Sequence, residues 1–243
     1  VCAEARADIN SIRDQYNNLN GCWVDSWHRK TYHRIRRYVR RYAGNGHSRD
    51  WQTVLNQGSG GNSYDISAAC HIHLDLANNS LHGVNGAVLG NTEKLPFQDQ
   101  SFDMCVCVGS VINYCDAAAV IEESARALKP GGLLLLEFER SESAEYWGRE
   151  GYGASQSRML TRYGKREVTL WFYSEPYIIS ILEANGFVVK KRARFHVLSP
   201  LVYRLTGSER LSSHFAEFDF FAKRLPLVGR LSTNAIMLAE KVE

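Results

Sequence analysis

Hydrophobic positions along the chain follow two different periods. Trp27, Thr31, Ile35, Tyr38, Val39 and Tyr42 recur at spacings of three and four, which collects them on one side of a helix. Arg29, Lys30, Arg34, Arg36, Arg37, Arg40 and Arg41 fall on the other side. This predicts a surface helix with its apolar stripe on the core and a basic outer face, or a cover for an anionic substrate or membrane surface. Gly44, Asn45 and Gly46 end it. From Trp51 onward, short apolar runs alternate with helical stretches, the order expected of a mainly parallel sheet with helices on both faces.

Strands are predicted at Thr53–Asn56, Ile72–Asp75, Gly86–Leu89, Phe102–Val108, Leu133–Phe138, Val168–Tyr173, Phe187–Phe195 and Ala235–Ala239. Helices are predicted at Ala117–Leu128 and Pro176–Asn185, the first closed by Lys129-Pro130-Gly131-Gly132. The run Phe102–Val108 is almost wholly apolar, as in a strand buried on both faces. The expected fold is a three-layer, doubly wound α/β sheet, mainly parallel with an antiparallel late strand. N-terminal helices precede it, and a helical insertion precedes the last strand. Residues 1–46 read as a helical cap and 47–243 as the main domain, with elaborations at 139–165 and 196–230.

Composition narrows the class. Apolar residues at 44% and charged residues at 23% suit a globular chain and exclude a disordered or collagen-like one. The formal charge of +3 is too small to argue by itself for nucleic acid or anionic lipid. The six cysteines include no CxxC pair, so free thiols are expected and no metal site. No apolar stretch is long enough for a membrane span and no signal peptide opens the chain, so the expectation is cytoplasmic, with a piece absent before Val1.

The candidate chemistry begins after the first strand. Asn56-Gln57-Gly58-Ser59-Gly60-Gly61-Asn62 is a glycine-rich turn, read as leading into a helix whose N-terminal N–H groups face a ligand. Dinucleotide-binding enzymes share such turns, but the strict GxGxxG spacing fails at Ser63. Asp75 closes the second strand, where a carboxylate accepts hydrogen bonds from ribose hydroxyls or simply caps a turn. Gly90-Asn91-Thr92-Glu93-Lys94-Leu95-Pro96-Phe97, followed by Ser101-Phe102-Asp103 and a buried strand, adds a third piece.

Together these pieces, with the Lys129–Gly132 turn, resemble the class I S-adenosylmethionine-dependent methyltransferases over roughly Trp51–Phe138. The resemblance implies S-adenosylmethionine as cofactor, with Gly58, Ser59, Gly60, Asp75, Leu76, Asn91, Thr92, Glu93 and Gly109 at its site. Asn91 is then placed at the adenine amino group, the Thr92 N–H at a ring nitrogen, and Gly109 near the methionine ammonium. The sequence departs from the family where Asn56 and Asn91 replace acidic residues and Asn62 replaces the third glycine. An amide offers no negative charge to the methionine ammonium.

Methyl transfer from a sulfonium needs the acceptor held in line more than it needs a special motif, though a hydroxyl or acidic carbon benefits from a base. Tyr114, after the fourth strand, and His196, before the insertion, are the catalytic candidates; Asn113 is placed in the pocket wall and Tyr16 over the cofactor. His196 also reads as a structural hydrogen-bonding residue. Leu211, Phe215, Phe218, Ala222 and Leu225 follow a helical period, flanked by Phe220 and Phe221, and read as core cover or as an aromatic lid; the earlier elaboration, with Tyr146, Trp147 and Tyr152, is a separate candidate for setting acceptor specificity. The expected partner is a small apolar or aromatic acceptor; RNA or another anionic acceptor, and a non-catalytic scaffold, are the alternatives.

Overall fold

The computed structural model describes residues 9–18, 26–43, 51–163, 166–222 and 229–242. β1 (Trp51–Gln57), β2 (Ala68–Asp75), β3 (Ala87–Leu89), β4 (Phe102–Cys107) and β5 (Leu128–Glu139) pair in parallel. β9 (Asn234–Lys241) lies antiparallel between β5 and β8 (Phe187–Phe195), giving the seven-stranded order β3-β2-β1-β4-β5-β9-β8. β6 (Gln156–Tyr163) and β7 (Arg166–Tyr173) form a separate antiparallel hairpin. The helices are α1 (Ile9–Asn17), α2 (Ser26–Ala43), α3 (Ala117–Ala127), α4 (Glu175–Ala184), α5 (Leu198–Thr206) and α6 (Glu209–Ala222).

Strand alternation sorts the apolar side chains into two cores. Val54, Met104, Val106, Leu133, Leu135, Ile236 and Leu238 face α2, whose Ile35, Tyr38, Val39 and Tyr42 pack on them. Leu55, Cys105, Cys107, Leu134 and Leu136 face the opposite way, toward Val120 and Ile121 of α3 and Ile178 and Leu182 of α4. Both faces of the central strands are covered, which explains their near-continuous apolar runs. The end of α2 is tied down by the Trp51 indole, which donates to the Ala43 carbonyl at 2.9 Å. Asp116 caps α3, its Oδ1 accepting from the Ala118 N–H at 3.0 Å. Ser174 caps α4, where a proline occupies the first turn.

Four expectations change. The glycine-rich turn is not followed by a helix: residues 58–67 pass to β2 in turns, with Tyr64 and Ile66 buried on the α2 core in its place. Tyr64 and Asp65 take left-handed φ angles of 52° and 59°, a strain of about 1–2 kcal/mol each. Burial of the Tyr64 ring and the Arg36–Asp65 pair at 2.8 Å offset it. The strand expected at Val168–Tyr173 joins the hairpin rather than the main sheet. β5 begins at Leu128 and absorbs the Lys129–Gly132 segment, where Gly131 has φ 72° and the pairing with β4 shifts register.

The fourth change is in α6. Leu211, Phe215 and Phe218 are the exposed side chains, while Ser212, Ser213, Ala216 and Asp219 face inward. The Ser212 and Ser213 hydroxyls are satisfied by the Ser208 and Arg210 carbonyls one turn back, and the Asp219 carboxylate by His196 and Ser199. The break at Gly44–Gly46, Cys2, Cys22 and Leu225 lie outside the described residues, as do the side chains of Trp27, Phe220, Phe221 and Ala222. Cys70, Cys105, Cys107 and Cys115 are free thiols, and no helix among the described residues is long and apolar enough to cross a membrane.

Candidate active site at the carboxyl edge of the sheet

The carboxyl ends of β1, β2, β4 and β5 lie side by side, so the turns that follow them share one edge. Gly58, Gly60 and Gly61 have φ of 62°, 53° and 76°, a conformation that favours glycine. A Cβ on Gly58 would stand 2.4 Å from Val111, and one on Gly61 would stand 2.5 Å from the Ser80 carbonyl oxygen. The turn is therefore packed closely on both sides, against the Val111 side chain and the Ser80 backbone. Ser59 is buried; its N–H extends the sheet to the Leu74 carbonyl at 3.1 Å, and its hydroxyl accepts from the Gly61 N–H at 3.2 Å.

Asp75 closes β2 with its carboxylate turned across this mouth. Oδ2 accepts from the Gly60 N–H at 2.8 Å and Oδ1 from the Ala77 N–H at 2.9 Å. Burial holds its carboxyl above the ordinary range, opposed by hydrogen bonds from the Ala77, Gly60 and Leu76 backbones. Three backbone N–H groups take up most of the carboxylate's roughly four lone-pair positions, and the capacity that remains suits a ligand hydroxyl. Asn56, fully buried, donates to the Asn62 carbonyl at 2.6 Å, while its Oδ1 has no hydrogen-bond partner among the described residues. This orphan acceptor leaves one buried hydrogen-bond position beside the glycine turn unfilled.

The segment after β3 is held from beneath. Thr92, buried, donates its hydroxyl to Gln57 Oε1 at 3.0 Å, and the Gln57 amide donates to the Ser124 hydroxyl of α3 at 3.0 Å. Asn91 Oδ1 accepts from the Glu93 N–H at 2.9 Å, forming a side-chain turn. The Glu93 carboxylate accepts from the Asp116 N–H at 2.6 Å, fastening this segment to the start of α3. Asn91 and Thr92 thus shape the loop, and Glu93 anchors it.

On the β4 side, Gly109 and Ser110 turn with φ of 89° and 58°. Both N–H groups donate to one oxygen of Glu137, at 2.8 and 2.7 Å, while its other oxygen accepts from the Asn234 amide at 2.7 Å. Burial pushes the Glu137 carboxyl up to about 7. Two residues on, Glu139 takes the Ser110 hydroxyl at 3.2 Å and the Tyr146 hydroxyl at 3.4 Å. Glu137 and Glu139 were not singled out in the sequence, although two glutamates alternating in Leu133-Leu134-Leu135-Leu136-Glu137-Phe138-Glu139 are an anomaly for a buried strand.

Asn113 does not line the pocket: its amide is spent on the Glu139 N–H and carbonyl and on the Trp171 carbonyl, at 2.9, 3.1 and 2.7 Å. It clamps β5 to the β6–β7 hairpin. Tyr114 is half-buried against Tyr146, Met159, Leu170 and Phe172, and Tyr16 meets it edge-on at 5.7 Å. Asn17 accepts from the Asn79 N–H at 3.1 Å. α1 therefore reaches from the turn after β2 to the turn after β4, across the edge.

His196 is not brought to this cleft as a base. It is buried, with φ 58°, and both ring nitrogens are engaged: Nε2 with the Thr31 hydroxyl at 3.0 Å, Nδ1 with Ser199 at 3.1 Å and Asp219 at 3.2 Å. The Asp219 carboxylate also accepts from the Val197, Leu198 and Ser199 N–H groups. This is a tie between α2, α5 and α6. Among the described residues no group of three His, Cys, Asp or Glu side chains is placed to hold a metal.

A parallel α/β sheet with a glycine turn, a strand-end carboxylate and a loop at one carboxyl edge has the layout of nucleotide-binding sheets. Residues 44–136 match the family described as "Methyltransferase domain", and the chain carries a class I, S-adenosylmethionine-dependent methyltransferase domain. The chain is similar to the ubiquinone/menaquinone biosynthesis C-methyltransferase UbiE of Marinomonas sp., 41% identical over 69 residues, which is 28% of each chain. It thus spans well under two thirds of that relative. Geranyl diphosphate C-methyltransferase from Streptomyces coelicolor, solved with geranyl diphosphate and S-adenosyl-L-homocysteine, shares the fold with TM-score 0.59 at 11% identity, over 98% of this chain and 100% of that one. So does the (4+2) cyclase SpnF, TM-score 0.58 at 15% identity, over 92% of this chain and 85% of that one. The fold alone does not name the reaction.

Proposed function

We propose that this chain binds S-adenosylmethionine across the turns at Gly58–Gly61, Asp75–Ala77, Asn91–Thr92 and Gly109–Ser110, and transfers its methyl group to a small apolar or aromatic acceptor. The observation that carries the reading is the Asp75 carboxylate, turned across the glycine mouth with acceptor capacity left for a ribose hydroxyl. Bound cofactor supplies a methyl group activated on a sulfonium. The chain's own part is to hold that group and the acceptor in line and to exclude water. Gly58, Gly60 and Gly61 let the backbone approach, Asp75 takes the ribose hydroxyls, and Gln57 steadies the loop through Thr92.

In this reading the acceptor lies on the β4–β5 side, beside Tyr16 and Tyr114, and Glu139 receives the proton released by a hydroxyl or an acidic carbon. The aromatic lining and the C-methyltransferase similarity both favour a quinol-type ring over RNA. The test is transfer of a labelled methyl group to a panel of 1,4-benzoquinols and naphthoquinols. Label in the extracted product is expected. Cofactor binding without transfer to any member overturns the acceptor class and leaves the cofactor site standing.

A further inference from the structure

The cofactor's methionine end carries an ammonium, and in this chain Asn56, the last but one residue of β1 beside the glycine turn, brings no charge to it. The buried negative charge on that side of the sheet stands two strands away. Glu137 is fully buried on β5, and one of its oxygens takes the N–H groups of both Gly109 and Ser110. The Asn234 amide holds the other oxygen, so the carboxylate cannot swing into the cleft itself. A trans peptide sets its N–H and C=O on opposite sides. Anchoring these two N–H groups on Glu137 therefore turns the Val108 and Gly109 carbonyls away from it. Hydrogen bonding to a carboxylate also polarises the two peptides, which strengthens the carbonyls as acceptors.

We infer that Glu137 is the positioning residue for the methionine end of the cofactor: it fixes the left-handed Gly109–Ser110 turn and lends its charge, through two peptide units, to the carbonyls that receive the ammonium. The inference rests on the cofactor reading above. The geometry also explains why Ser110, not a glycine, holds a φ of 58°: the strain is maintained by a charge-assisted hydrogen bond to its N–H. Glu139, on the same strand, is the charged group that faces Glu137 most directly, and Cys107 of β4 is a neutral thiol, pushed up to about 12 by burial and then by the Glu137 charge.

The test is calorimetric titration of the full chain and of Glu137→Gln with two ligands, S-adenosylhomocysteine and 5′-methylthioadenosine, the second lacking the amino-acid end. Glu137→Gln is expected to weaken S-adenosylhomocysteine by about tenfold, the scale of losing charge-assisted hydrogen bonding, and 5′-methylthioadenosine by less than about twofold. Equal weakening of both ligands, or no weakening of either, overturns the inference. If the unaltered chain binds neither ligand, it is the cofactor reading that fails. Should the variant not fold, the unaltered chain answers. Its affinity ratio between the two ligands is expected to fall by about fivefold between about pH 8 and about pH 6, as Glu137 takes up a proton. The 5′-methylthioadenosine arm cancels any titration of Asp75. A constant ratio overturns the inference equally.

Discussion

Replacing Gln57 with leucine removes the link between the glycine strand and the loop after β3 while nearly keeping side-chain volume. Gln57 is fully buried; it accepts from the Thr92 hydroxyl at 3.0 Å and its amide donates to the Ser124 hydroxyl at 3.0 Å. Ser124 keeps its bond to the Val120 carbonyl at 2.7 Å, so Thr92 is the group left stranded. An unsatisfied buried hydroxyl costs about 1–3 kcal/mol, and the apolar area gained by leucine offsets part of it, so a loss of about 2 kcal/mol is expected. Adding Thr92→Val removes the stranded hydroxyl. The double variant is therefore expected within about 1 kcal/mol of the unaltered chain, more stable than Gln57→Leu alone. Urea unfolding of the four proteins, with midpoints compared at unchanged slope, measures this coupling. A double variant destabilised by the sum of the two single losses refutes the account of a tied loop.

Further outcomes follow from the same geometry. Gly61→Ala combines a φ of 76° with a Cβ 2.5 Å from a backbone oxygen, whereas Gly83→Ala, at φ 73°, meets nothing within 4 Å. Thermal denaturation should show a loss of about 1–2 kcal/mol for Gly83→Ala and clearly more for Gly61→Ala; equal losses contradict the close approach at the turn. His196→Ala is expected to lower stability by about 2–4 kcal/mol while changing S-adenosylmethionine affinity less than about twofold, because the ring ties helices together. Loss of affinity in a variant of unchanged stability restores His196 to the site. Burial pushes the Glu137 carboxyl up from 4.5 to about 7, so its protonated form is favoured by folding and the associated stability is present below pH 4.5 and lost as pH rises through about 7. At about 1.4 kcal/mol per unit, the stability of the unaltered chain relative to Glu137→Gln should fall by about 3 kcal/mol over that window, as chemical denaturation at a series of pH values will show. A pH-independent difference contradicts a buried, titrating Glu137.

Much of this architecture is legible in the sequence where one physical signal dominates. The apolar run at Phe102–Val108 becomes β4 because both its faces are covered, and the stripe Ile35–Tyr42 packs because its period matches one helix face. The glycine turn, Asp75 and the Asn91–Glu93 segment do converge on one edge, since a parallel sheet brings the ends of its strands together. The helix after the glycine turn was read from the usual strand–turn–helix order, but here two residues with positive φ, Tyr64 and Asp65, break the path and a buried tyrosine fills the space. The α6 stripe misled because helical period reports amphipathicity and not which side is inward; the inward side is chosen by the Asp219–His196 tie, a contact across 23 residues. The β6 strand was missed because Gln156–Tyr163 pairs only within a hairpin and carries no clean alternation. Glu137 escaped notice because a strand's apolar run hides which polar residue meets a backbone turn.

The most direct test of the cofactor site is calorimetric titration of the purified chain with S-adenosylmethionine, beside NADH as control, repeated with Asp75→Ala. Saturable binding of S-adenosylmethionine alone is expected, weakened in Asp75→Ala by about 1–3 kcal/mol, the loss of hydrogen bonds to a charged acceptor. No binding at about millimolar cofactor by a folded protein, or binding that Asp75→Ala leaves unchanged, contradicts the site described here.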